Sequence, residues 1–156
     1  MYKRLLENLR RLAWLLVLSL FSGAAMANDN LTKVVDGVTI YIGILPAEMI
    51  RGHPKEHPEG AMHGGVPRGG EQYHVMVALF DAKTGERIND ADVKASVAGV
   101  GAKGWPVTLE PMNIANTITY GNYFNMSGYG PFRIDLQIRR LNATRVIEAR
   151  FEHKHQ

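Results

Sequence analysis

Beyond residue 30 the chain alternates apolar and polar side chains in short runs cut by turn residues, which is the period of strands. Val34-Val35 and Val38-Thr39-Ile40-Tyr41-Ile42 flank Asp36-Gly37, a dipeptide suited to a tight hairpin because both positions tolerate positive φ. The second run continues to about Leu45, with Val38, Ile40, Ile42 and Ile44 on one face. Gln72 to Asp81 (QYHVMVALFD) reads as the strongest strand, closed by a turn at Ala82-Lys83-Thr84-Gly85. From Ala91 to Val97, Val93, Ala95 and Val97 alternate with Asp92, Lys94 and Ser96. Further strands are expected over 105–112, 121–126, 131–139 and 145–153. Phe132, Ile134, Leu136 and Ile138 oppose Arg133, Asp135, Gln137 and Arg139, the alternation of a half-buried antiparallel strand. About seven strands, with breaks roughly every 8–12 residues, predict an all-β fold, an immunoglobulin-like antiparallel β-sandwich. The only helical pattern lies near the N-terminus.

That N-terminal segment follows other rules. Lys3, Arg4, Arg10 and Arg11 precede an apolar run from Leu12 to Phe21, and Ala25-Met26-Ala27 has the small-x-small form of a cleavage site. The run is about ten residues, half of the roughly 20 that span a bilayer. The expectation is a signal peptide over residues 1–27 and an exported, periplasmic, soluble β-sandwich domain over 28–156. The alternative is an uncleaved anchor.

Removing the signal changes the charge balance. Residues 1–27 hold four basic side chains and one acid, a net +3 that equals the +3 of the whole chain. The mature domain is then formally neutral, which gives no case for nucleic-acid binding. There is no cysteine. A domain of this size can bury a core without disulfides, and any metal would rest on imidazole, thioether and carboxylate ligands.

The chemistry-bearing residues are concentrated. A Pro/Gly-rich loop over 51–71 carries His53, His57, Met62 and His63, with Glu56 and Glu59 between them. His74 and Met76 follow on the next strand, two residues apart and therefore on one face, with Val75, Val77 and Leu79 on the other. Imidazole with thioether suits copper, since the thioether prefers soft Cu(I). The plainer readings are a solvated loop, a packing methionine and a surface imidazole. His153 ends the last expected strand, where it either belongs to a frayed tail or reaches a site on neighbouring strands. Enzyme signatures are absent: no cysteine nucleophile, no G-x-S-x-G, no H-E-x-x-H and no phosphate loop.

From Tyr73 to about Ile138 the chain resembles the exported β-sandwich proteins that accompany bacterial iron permeases and bind copper or iron. In that family a strand opens on a ligand His with a second ligand two residues on, matched here by His74 and Met76. A ligand Met then stands seven residues before a His-Tyr-Gly-Asn motif; here Met112 precedes Thr119-Tyr120-Gly121-Asn122 by seven. Gly128-Tyr129-Gly130-Pro131-Phe132 resembles the family's entry to the next strand. The resemblance extends more loosely to the CopC, FixH and YtkA types of periplasmic copper handler.

Two departures matter. The family's carboxylate is Met76 here, which softens the site, and its later His is Thr119, which removes a ligand that His53, His57, His63 or His153 would have to replace. The resemblance implies an exported protein that holds copper, or iron, for a membrane metal permease or an oxidase-assembly factor, with a homodimer left open. The competing reading is a non-metal periplasmic protein-interaction module. Export itself is directly testable: the mature chain should begin at Asn28, and an intact mass that retains residues 1–27 would exclude cleavage there.

Overall fold

A computed structural model of the 156-residue chain describes residues 31–51, 64–114, 116–141 and 143–155. His53, His57, Met62 and His63, like the signal segment 1–27, lie outside the described residues. The strands are β1 (Thr32–Val35), β2 (Val38–Pro46), β3 (Gln72–Asp81), β4 (Ala91–Gly99), β5 (Val107–Ile114), β6 (Thr117–Asn125), β7 (Phe132–Arg140) and β8 (Ile147–His153). All pairings are antiparallel, in the order β1-β2-β3-β6-β5-β4-β7-β8. The sequence-based expectation of an all-β sandwich holds, with eight strands rather than about seven.

The continuous sheet folds into two layers at β5. Val107–Leu109 pair with β4, whereas Glu110–Ile114 pair with β6. The change of partner falls beside Pro111, which has no N–H to give a second ladder. Where β5 leaves β6, the Asn122 side chain donates to the Thr108 carbonyl at 2.8 Å and takes over one lost ladder bond. At the far side β1 approaches β8, and the Lys33 ammonium lies 5.3 Å from the centre of the Phe151 ring.

The core sits between the layers. Val38, Ile40 and Ile42 of β2 and Val75, Val77 and Leu79 of β3 face Ile134, Leu136 and Ile138 of β7, with Phe151 of β8. Each set has the spacing of two that strand geometry requires. Tyr120 of β6 is the largest of these buried side chains, and its hydroxyl accepts the Ala91 N–H at 3.0 Å, linking β6 to the start of β4. Burial pushes the Tyr120 phenol above its ordinary pKa, so it stays neutral over the physiological range.

The β1–β2 hairpin turns at Asp36 (φ 48°) and Gly37 (φ 79°), both left-handed as the Asp-Gly pair predicts. Three local expectations are corrected. A short helix, α1 (Ala47–Arg51), stands where no helix was expected, with Ala47 and Ile50 buried. Five residues are too few to display a helical period. The strands expected over 105–112 and 121–126 run instead over Val107–Ile114 and Thr117–Asn125, because Asn116 adopts φ 61° and closes a tight turn. Trp105 falls outside β5 and is exposed. Among the described residues no helix is long and apolar enough to cross a membrane.

Tyr120→Phe should lower the unfolding free energy by about 1–2 kcal/mol, because it strips the Ala91 N–H of its acceptor in a part-buried setting. Urea denaturation of both proteins measures this; an unchanged midpoint would show the bond to be dispensable.

Candidate metal centre

The site follows from the register of four strands. Because β3 sends Val75, Val77 and Leu79 into the core, His74 and Met76 stand on the outer face of that layer. Met76 is flanked by Gly43 of β2 and Gly121 of β6, and Gly121 in turn by Glu110 of β5. These four residues form one row across the sheet. In the neighbouring rows, His74 lies opposite Tyr123, and Met112 opposite Thr119.

His74 and Met112 are both fully buried, although neither belongs to the main core. The absence of a side chain at Gly121 brings them together. A Cβ built there would stand 2.7 Å from His74 Nε2, 3.2 Å from Met112 Sδ and 2.5 Å from the Met112 methyl carbon. Imidazole and thioether thus meet over the backbone of β6, in space that any side chain at position 121 would fill. The His74 ring is covered on one side by Tyr123, stacked at 4.6 Å between centroids with the planes 27° apart.

Met76 is placed differently. It is half-buried, and its methyl carbon lies 3.4 Å from where a Cβ of Gly43 would be, on the β2 side of β3. There it borders an open groove lined by Tyr41, Ala78, Ile114 and Thr119. The structure therefore brings His74 to Met112, and leaves Met76 beside them on the same face. His153 is on the other side: it pairs with Phe132 and points with it toward the space between the layers. Among the described residues no three His, Cys, Asp or Glu side chains converge.

Thr119, where the family resemblance calls for a histidine, is already engaged. The Arg87 guanidinium donates to Thr119 Oγ1 at 2.8 Å and to the Ile118 carbonyl at 2.7 and 3.1 Å, while lying 4.7 Å over the Phe80 ring. Partial burial pulls the Arg87 pKa below its ordinary value without approaching neutrality, so a fixed cation stands one strand from Met112. Glu110 was not singled out from the sequence. The signal was its place two residues before Met112, which puts both on one face of β5.

The donor set is one imidazole nitrogen and one thioether sulfur, out of contact with water. A thioether is a soft, uncharged ligand that selects Cu(I), and imidazole accepts copper in either state. The residues present therefore fit a singly charged copper ion better than iron, which would call for carboxylate or further imidazole ligands.

No family model matches the chain, and no curated protein matches it in sequence. Solved structures do match in shape. A copper-bound glutamate-to-glutamine variant of FetP from uropathogenic Escherichia coli superposes with a TM-score of 0.58 at 14% identity, over 80% of this chain and 93% of that one. FetP as isolated after expression in the E. coli periplasm gives 0.59 at 14% identity, over 80% and 91%. A DUF4426 family protein from Pseudomonas aeruginosa gives 0.59 at 10% identity, over 80% and 94%. At such identities the likeness is one of fold: the chain is an all-β sandwich of the shape that FetP and the DUF4426 protein share.

Proposed function

We propose that this chain is an exported copper-binding protein that holds Cu(I) between His74 and Met112 for a membrane permease or a metalloenzyme-assembly factor. The observation that carries the reading is the approach of His74 Nε2 and Met112 Sδ to one point over Gly121. Two further observations support it. The FetP variant of the same fold is copper-bound. The cation at Arg87 also repels a doubly charged ion more strongly than a singly charged one, since the interaction scales with the product of the charges.

In this reading Met76 supplies a second thioether from the groove side, and the His53–His63 segment offers additional imidazoles for capture. Signal peptide, periplasmic location and a permease or assembly partner belong to the same proposal. Iron is the second choice of cargo. The protein's part is to bind and to release, so no residue is assigned an acid, base or nucleophile role.

Titration with Cu(I) against a competing chelator tests the centre. His74→Ala and Met112→Ala should each weaken binding at least tenfold, about 1.4 kcal/mol, while far-UV spectra confirm that the strands persist. Unchanged affinity in both variants would overturn the proposal. Imidazole binds only when neutral, so protons compete with the ion and affinity should fall in acid, while the thioether share remains. In His74→Ala that pH dependence should shrink; if it does not, the titrating ligand lies elsewhere.

Gly121→Ala provides a structural control. Its methyl group would collide with His74 Nε2 and Met112, costing about 1–3 kcal/mol of stability by overpacking. It should also separate the two donors, so that copper affinity and denaturation midpoint fall together. A variant that binds as tightly as the wild type would place the ion away from Gly121.

A further inference from the structure

A second imidazole cluster closes the end of the sandwich where β3 begins and β8 ends. It lies on the face of β3 opposite His74. His155, two residues past His153, stacks on Tyr73 with centroids 4.5 Å apart and planes 15° from parallel. Phe132 flanks it at 4.9 Å, and the His153 ring meets it edge-on at 5.3 Å and 72°. The chain beyond β8 is therefore held in an aromatic slot.

The hydrogen bonding of His155 decides its tautomer. Its Nε2 lies 2.9 Å from the Met126 carbonyl oxygen. A carbonyl has no proton to give, so Nε2–H is the donor and the lone pair of the neutral ring falls on Nδ1. Nδ1 is shut off from solvent, and no hydrogen-bond partner reaches it among the described residues. A buried acceptor left in that state is destabilising.

A metal ion would resolve the conflict. Metal-bound histidines characteristically donate their other ring N–H to a backbone carbonyl or carboxylate, which fixes the ring and raises the basicity of the ligating nitrogen. His155 already has that posture. Two imidazoles opposed on one Cu(I) through bonds of about 2.0 Å have centroids roughly 6 Å apart, and His153 and His155 stand at 5.3 Å, so a small opening of the pair would seat the ion. The His-x-His spacing on an extended chain supplies both rings from one side.

We propose that His155 Nδ1 and His153 form a second metal site, for Cu(I), at the end of the sandwich. Two neutral imidazoles leave the ion's charge uncompensated, and desolvating a single charge costs far less than desolvating a double one. Copper accepts imidazole ligands readily. The site does not depend on the His74–Met112 centre.

The test uses the full exported chain with 15N-labelled histidines. Cu(I) is diamagnetic, so the His155 ring nitrogens can be followed directly during titration. Nδ1 should shift on binding while the Nε2–H signal persists. His155→Phe keeps an aromatic ring between Tyr73 and Phe132 but has no nitrogen, and it should lose one equivalent of bound Cu(I). His74→Ala should retain that equivalent, which separates failure of this site from failure of the other. A His155 Nδ1 resonance unmoved at saturating Cu(I), or full stoichiometry in His155→Phe, would overturn the proposal.

Discussion

Strand β3 is paired with β2 from Tyr73 to Asp81 and with β6 over its first six residues, and its two-residue period divides the molecule. On one face Val75, Val77 and Leu79 are fully buried in the main core. On the other His74 and Met76 begin the candidate centre. A slip of one residue against β2 and β6 would exchange the two sets. Each buried aliphatic side chain contributes about 1.5–3 kcal/mol, so the core holds the register. The geometry of the outer face is a consequence of that hold.

Burial on the outer face has a different origin from burial in the core. It comes from a missing side chain and a covering ring. Gly121 leaves room for His74 and Met112 to meet over the β6 backbone, and Tyr123 lies on the imidazole. The thioether of Met112 needs no hydrogen bond, so it tolerates such a place at little cost. An imidazole in the same place carries two nitrogens that do. His74 is thus a buried polar side chain on a sheet face that the core does not use.

Much of this was legible in residue order. The hairpin at Asp36-Gly37, the core faces of β2, β3 and β7, and the shared face of His74 and Met76 all follow from neighbours one or two positions apart. Family resemblance drew attention to Met112, although nothing in its local pattern does so. What escaped was of two kinds. Helix α1 is too short to show a period, and the turn at Asn116 carries no glycine or proline to mark it. The parting of Met76 toward Gly43 and the burial of His74 against Gly121 depend on chain segments far apart in sequence.

Strand periodicity is local, because successive side chains must point to opposite faces wherever the backbone is extended. It assigned faces correctly for β2, β3 and β7 before any pairing was known. Adjacency is not local. That β6 rather than β4 lies beside β3, and that β5 changes partner at Leu109–Glu110, depends on how two apolar layers close over one core. From this closure came the meeting of residues 74, 112 and 121, separated by 38 and 9 positions along the chain. The chain order named the donors; packing chose which of them share a place.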